Sequence, residues 1–357
     1  MQKFESPDHE FENAPLNYPK KVCLLTGVAG SIGIHTLSQI MKNTDWDVVG
    51  IDSFRHRGWC DRVAWHLKSH PNDVPRIRII THDLTAPFSE MTKKKIGHVD
   101  YIINMASLSD VEASIQEPVP FVMNNVALVL NILEFAREVK PDVFIQISTD
   151  EVYGPTTGKN DGYKEWDAQV PSNPYAASKC AQENLAISYW RAYGVPVIIT
   201  NTMNNYGEMQ SSTKFPVMIQ KAIANGEEIT IHGNEKGEIG SRSYIHSQNF
   251  ANALLFIIKN LPPHLHELSK VDKPDRYHIA GEKQLDNLEL AKLIAELMGK
   301  ELKYKIVNFH QTRAGHDPHY GLNDDKLKSL GWSPPVSFEE SLKNVIKWQM
   351  EHDEWIK

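Results

Sequence analysis

Along residues 20–200, short apolar runs alternate with longer stretches in which apolar positions recur every three to four residues. The runs at 21–27, 47–51, 77–80, 99–105, 143–148 and 195–200 predict buried strands. The stretches at 32–41, 119–139 and 174–193 predict helices, the second closed by Pro141 and the third by Gly194. Strands alternating with helices imply an α/β fold, with a doubly wound parallel sheet covered on both faces. Beyond residue 200 the rhythm turns irregular. Loops rich in Gly, Asn and Pro separate short elements, and single helices are expected at 215–225, 249–260 and 287–298. The expected organisation is a polar N-terminal extension at 1–19 and a sheet domain at 20–200 with a return segment at about 240–262. A smaller lobe, built from 201–239 and 263–357, would carry the substrate.

The first strand breaks into Gly27-Val28-Ala29-Gly30-Ser31-Ile32-Gly33 just before the first helix. Glycines here permit a tight turn and a close backbone approach to a pyrophosphate, while the helix start offers free N–H groups. Alone, such a run also suits an ordinary turn. Its context favours a Rossmann-type dinucleotide site. Asp52 ends the second strand, roughly twenty residues on, where a carboxylate holds ribose hydroxyls. That charge repels a 2′-phosphate and selects NAD over NADP; Arg55 and Arg57, close behind, pull the other way. Asp83 and Leu84 follow the third strand, placed for the adenine edge.

Two further segments carry chemistry. Tyr175 and Lys179 stand four apart at the start of a helix, so phenol and ammonium share a face. A nearby ammonium favours phenolate and would let the tyrosine act as a base. The fifth strand runs out into Thr149, Asp150 and Glu151, at the sheet end where such folds place their sites. Two adjacent carboxyls in unequal surroundings can serve as acid and base. A solvated tyrosine–lysine pair and a turn-capping acid pair are the bland alternatives.

Bulk properties narrow the class. With 41% apolar and 23% charged residues, the composition is that of a soluble globular protein, and 357 residues suit one domain plus a lobe. A net charge of −7, with Lys93-Lys94-Lys95 as the densest basic run, argues against nucleic acid as partner. Cys23, Cys60 and Cys180 form no CxxC pair, so a reducing cytoplasm is expected. No apolar leader is apparent. The longest apolar run, taken as 254–258, is too short to span a bilayer, so no membrane role is expected. The pairs His264/His266 and His316/His319 lack a third ligand, and no metal site is expected.

The motifs occur in a recognisable order: the glycine loop, STDEVYG at 148–154, NPYAASK at 173–179, NNYG at 204–207, SRSYIH at 241–246 and RAGHDPHY at 313–320. The chain thereby resembles the extended short-chain dehydrogenase/reductase superfamily, and within it dTDP-glucose 4,6-dehydratases and their UDP-glucose relatives. In that superfamily the plain 4-epimerases usually lack the acidic pair. The resemblance implies that Tyr175 takes the proton of the sugar 4-hydroxyl and that Lys179 lowers its pKa and holds the nicotinamide ribose. It further implies that Glu151 takes the C5 proton and Asp150 protonates the departing 6-hydroxyl, with Thr149 on a substrate hydroxyl. The product would be a 4-keto-6-deoxy sugar nucleotide.

Bound NAD would be held by Gly27, Gly30, Ser31, Ile32, Gly33, Asp52, Asp83, Leu84, Ala106 and Asn125, with Tyr175 and Lys179. The sugar nucleotide would meet Ser109, Thr149, Asn204, Asn205, Lys214, Arg242, Arg313 and Tyr320. A homodimer through the helices at 120–139 and 174–193 is also implied. Four departures from the pattern stand out: the run Ser107-Leu108-Ser109-Asp110, Ser31 in the glycine loop, Asn201-Thr202-Met203 before NNYG, and Glu208 after it. Alternatives are a 4-epimerase, a dehydratase of an N-acetylhexosamine nucleotide giving a 5,6-unsaturated product, and a non-catalytic NAD-sensing protein.

Overall fold

The computed structural model describes residues 20–56, 58–156, 162–233, 239–268, 270–308 and 319–355. The expected extension at 1–19, Arg57, Arg313 and His316 lie outside the described residues. Six of the strands that build the large sheet follow the apolar runs: β1 Val22–Thr26, β2 Asp47–Asp52, β3 Ile77–Thr81, β4 Tyr101–Asn104, β5 Val143–Thr149 and β6 Val197–Thr202. Three strands follow in the lobe: β7 Asn204–Tyr206, β8 Glu228–Gly233 and β9 Ser241–His246. The chain then returns. Strand β10, Asp275–Ile279, pairs parallel with β6 and completes a seven-stranded sheet of order β3-β2-β1-β4-β5-β6-β10. This strand lies in the stretch that sequence reading assigned wholly to the lobe. Strands β11 Lys283–Asp286 and β12 Lys303–Asn308 finish the two small sheets, β11-β9-β7 and β12-β8.

Alternation along each strand sends side chains to opposite faces. On β1, Cys23 and Leu25 enter one core, and Leu24 enters the other. The first core is covered by α1 Ser31–Asn43, α2 Cys60–Ser69 and α8 Ser247–Asn260, with Leu37, Ile40, Phe250 and Leu254 at its centre. Helix α8 is the return segment; the strand before it, β9, belongs to the lobe. The second core is covered by α5 Pro118–Val139 and α6 Pro174–Tyr193, with Ile132, Leu133 and Trp190 fully buried. Two short helices lead into that layer, α3 Glu90–Ile96 and α4 Val111–Gln116. The lobe has its own core among α7 Phe215–Asn225, α9 Asn287–Met298 and α11 Phe338–Glu351, with Ile231 of β8. A short helix α10, Asp325–Ser329, precedes α11.

Helix α5 corrects one sequence estimate. By length and composition it could cross a bilayer, unlike the 254–258 run taken above as the longest. Its Leu128, Val129, Ile132, Leu133 and Phe135 belong to the sheet core, which accounts for much of that apolar character.

Candidate active site

The carboxyl ends of the parallel strands open into a cleft of about 920 Å³ between sheet and lobe. It brings together Gly27, Gly30, Ser31, Ile32, Gly33, Asp52, Asp83, Leu84 and Ala106 at one end. Ser109, Thr149, Asp150, Glu151, Tyr175, Lys179, Asn204, Asn205 and Lys214 line the rest. Asn125, Arg242 and Tyr320 do not line it, and Arg313 is outside the described residues.

The glycine loop is shaped for backbone approach. Gly27 has φ of 70°, and a Cβ on Gly33 would fall 2.0 Å from the Gly27 carbonyl oxygen. Helix α1 starts here with no side-chain cap, so its first N–H groups face the cleft without a carboxylate or hydroxyl to answer them. Asp52 accepts from Ala29 N at 3.0 Å and Phe54 N at 3.0 Å, which locks the loop and holds the carboxylate at the cleft wall. These features fit a dinucleotide.

Asp83 lines the cleft as a paired carboxylate. Its carboxylate accepts from Thr85 N and Thr85 Oγ1 at 3.0 and 2.8 Å and pairs with Arg55 at 2.6 Å. Burial alone would raise its pKa; Thr85 and Arg55 hold it below the usual value. Arg55 is thereby engaged with Asp83. Arg62 was not singled out by sequence, yet it is buried in the wall and donates to Ala29 O and Met209 O at 2.8 and 2.9 Å. Its nearest signal was only an arginine on a helix of mixed polarity.

The reacting groups sit where β5 ends. A 3₁₀ turn, Asp150–Tyr153, follows at once and closes at Gly154, whose φ is 82° and whose Cβ would collide with Val170 O. Thr149 Oγ1 donates to Asp150 Oδ1 at 2.9 Å. Burial, then the neighbouring Glu151, pushes the Asp150 carboxyl up to about 7 against the pull of Thr149 and Arg242. Asp150 can therefore hold a proton near neutrality. Glu151 is held differently: Asn173 Nδ2 donates to its Oε2 at 3.0 Å. Asn173 lies just ahead of the expected helix and was not assigned a role from sequence. Its capping position before Pro174 was the available signal.

Tyr175 is buried beside this pair. Burial and then Glu151 raise its phenol well above the ordinary value, opposed by Thr149. The ammonium of Lys179 turns elsewhere, donating to Ile147 O at 2.7 Å and Gln182 Oε1 at 2.6 Å. The expected lowering of the tyrosine by Lys179 is thus not what this arrangement produces. Burial brings Lys179 down to about 8. Behind it runs a buried polar chain in sheet register: Thr26 donates to Asn104, Asn104 to Gln146, and Gln146 to Gln182. The chain links the end of β1 to the lysine on α6.

Asn125, expected on the cofactor, is fully buried between elements. It accepts from Leu108 N at 2.8 Å and donates to Leu108 O and Ser178 Oγ at 3.0 and 2.8 Å. Its amide therefore sets the course of the departing segment 107–110, which lines the cleft. Arg242 stacks on Tyr320 at 4.7 Å and donates to Ser241 O. Among the other departures, Glu208 does not line the cleft. It is half-buried, with Oε2 3.2 Å from His246 Nε2 and 3.6 Å from His35 Nε2, tying α1 to the lobe. Ser148 Oγ, Asn205 Oδ1 and Gln210 Oε1 are buried without a hydrogen-bond partner, and all three residues line the cleft. Orphaned polar atoms of this kind suit a polar ligand.

The family model described as GDP-mannose 4,6 dehydratase matches residues 24–345. The chain is 34% identical over 333 residues to the low-salt glycan biosynthesis protein Agl12 of Haloferax volcanii, covering 93% of this chain and 99% of that one. It is 29% identical over 348 residues to a dTDP-glucose 4,6-dehydratase of Haemophilus influenzae, covering 92% and 97%. Among solved structures, DesIV of Streptomyces venezuelae, a dTDP-glucose 4,6-dehydratase with NAD bound, superposes with a TM-score of 0.81 at 27% identity, covering 94% and 100%. A UDP-glucose 4-epimerase of Thermus thermophilus superposes with 0.79 at 21% identity, covering 92% and 98%; that likeness concerns the fold alone. The chain belongs to the GDP-mannose 4,6-dehydratase family.

Proposed function

We propose that this chain is an NAD-dependent 4,6-dehydratase of a nucleotide-activated hexose of the dTDP- or UDP-glucose type. The observation that carries the reading is the unequal acid pair. Asp150 is buried with its carboxyl pushed up to about 7, while Glu151 beside it accepts an amide hydrogen bond from Asn173. One carboxyl suits proton donation and the other proton removal. A 4-epimerase needs only the tyrosine; an elimination across C5 and C6 needs both carboxyls as well.

The cofactor reading rests on the uncapped start of α1, the Gly27–Gly33 contact and Asp52 at the wall. NAD bound there would accept the C4 hydride and return it at C6, leaving no net oxidation. The chain's own residues would do the rest. Tyr175 takes the 4-hydroxyl proton, which its raised pKa makes favourable once the phenolate forms. The resulting 4-ketone acidifies C5, Glu151 removes that proton, and Asp150 delivers one to the 6-hydroxyl as water leaves. Glu151 then returns a proton to C5.

The lobe side supplies Asn204, Asn205 and Lys214, with the cationic side chain suited to a diphosphate. The test is incubation with dTDP-, UDP-, GDP- and CDP-glucose and their N-acetyl analogues, read by mass. Loss of one water from at least one glucose nucleotide supports the reading. Epimerisation without mass loss would replace it with the 4-epimerase, and a stable 5,6-unsaturated product from an N-acetyl substrate with the N-acetylhexosamine nucleotide dehydratase.

A homodimer through α5 and α6 belongs to the same proposal. Val119 and Met123 on α5 are 71% and 61% exposed, an apolar edge that a second copy would cover. The three free cysteines support a reducing cytoplasm.

A further inference from the structure

Outside the cleft, helix α2 ends in a cluster that none of the chemistry above uses. His66 and His70 stand four residues apart, so their rings share one side of the helix and stack at 4.6 Å between centroids. A 3₁₀ turn, Pro71–Arg76, follows and brings Asp73 back over the same side. Its course is fixed by backbone bonds, His70 N to His66 O at 2.8 Å and Asp73 N to His70 O at 3.0 Å.

Three features of the cluster point to a ligand. The side chain of His66 is only 2% exposed, and its Nε2 has no hydrogen-bond partner. That nitrogen comes within 3.2 Å of Asp73 Oδ2 but off the direction a hydrogen bond requires. His70 places Nδ1 3.2 Å from the His66 carbonyl oxygen, which assigns the proton to Nδ1 and leaves Nε2 as the nitrogen with the lone pair. One ligand atom from each of the three residues lies within 4.8 Å of the other two. His66 is buried, Asp73 half-buried and His70 exposed, so the cluster has a closed floor and a solvent-facing mouth.

We propose that His66, His70 and Asp73 bind a divalent transition-metal cation of the zinc class, clipping the end of α2 to the turn that follows. Two imidazoles and one carboxylate form a nitrogen–oxygen donor set suited to Zn²⁺, with a coordination position left for water. Calcium and magnesium, which prefer oxygen donors, fit the set poorly. Histidine spacing in the sequence drew attention to other pairs. Of these, His264 is engaged with Asp275 at 2.9 Å, and His266 lies edge-on to Trp190. The α2 cluster depends on a turn whose fold brings Asp73 into place.

The test uses the untagged full chain, stripped with a chelator and dialysed, then titrated with Zn²⁺ against a chromophoric competitor. His70→Gln and Asp73→Asn are the variants, because both side chains reach solvent and neither fills the core. The wild-type chain should take up one tight equivalent, and each variant should lose at least about tenfold in affinity. Zn²⁺ should raise the wild-type melting temperature and leave the variants unmoved, while all three proteins melt alike without metal. No tight equivalent in the wild-type chain, or variants that bind Zn²⁺ as the wild type does, would overturn the proposal.

Discussion

Asn173 holds Glu151 and starts α6 with the same amide: its Nδ2 donates to Glu151 Oε2 at 3.0 Å, and its Oδ1 accepts from Ala176 N at 2.8 Å. The proposed base and the helix that carries Tyr175 and Lys179 are therefore oriented by one side chain. Asn173→Ser separates the two duties, since serine caps a helix well but cannot reach as an amide donor. Stability should change by only a few tenths of a kcal/mol while turnover falls about tenfold or more. Chemical denaturation and steady-state rates, measured side by side, check this. Equal loss in both would assign Asn173 to the helix alone.

Glu151→Gln should uncouple the two halves of the reaction. In the proposed reaction the oxidation at C4 rests on Tyr175, so absorbance from reduced cofactor should build up in a single turnover, while loss of water slows by about 10²–10⁴. Unchanged dehydration would remove Glu151 from its role.

Asp150 makes a stability prediction with a defined sign. Its folded-state pKa, about 7, lies above the ordinary aspartate value of 3.8, so its contribution to stability is fully present below about pH 4 and is lost as pH rises through 7. Asp150→Asn should thus stabilise the chain at pH 8, by at most roughly 4 kcal/mol at about 1.36 kcal/mol per pKa unit. The gain should vanish toward pH 4, and activity should fall throughout. Melting curves across that range decide it; a variant that is less stable at pH 8 would contradict the burial argument.

The Asp52 carboxylate both locks the glycine loop and faces the cleft. Asp52→Ala should weaken NAD binding by roughly tenfold or more and narrow the preference over NADP. Calorimetry with each dinucleotide reads both effects, and unaltered affinity for NAD would overturn the ribose assignment.

Arg276 of β10 pairs with Glu183 of α6 at 2.7 Å, and both side chains are buried. Arg276→Met leaves a carboxylate stranded in the core, with an expected loss of roughly 3–5 kcal/mol in denaturant unfolding. A loss below about 1 kcal/mol would mean that Asn201 and Gln169, which also donate to Glu183, sustain that charge without the arginine.

The parallel sheet was legible because its central strands β1, β2, β4, β5 and β6 are buried on both faces and read as apolar runs. Helices α6, α7 and α9 match the expected bounds residue for residue, each stopped by a glycine. What escaped were elements whose identity comes from partners. Strand β10 carries Arg276 and His278, polar residues that become strand only by joining β6. Helix α11 was hidden because Phe338, Leu342, Val345 and Ile346 are spaced among charges and show only one face to the lobe core.

At the site, the same division holds. Asp150, Glu151, Tyr175 and Lys179 lie in local motifs and could be named. The lysine's turn toward Gln182, Asn125's hold on Leu108 and Glu208's pairing with two histidines depend on contacts between distant segments. Glu208 ties α1 to the lobe outside the cleft, which leaves 107–110, Ser31, Thr202 and Met203 as the departures that line it.

In the proposed reaction the acid pair converts an oxidation at C4 into a loss of water. Turnover of a glucose nucleotide in heavy water, read by mass and proton resonance, tests it most directly. The product should lack one water and carry one solvent deuteron at C5. A product of unchanged mass, with no deuteron on carbon, would contradict it.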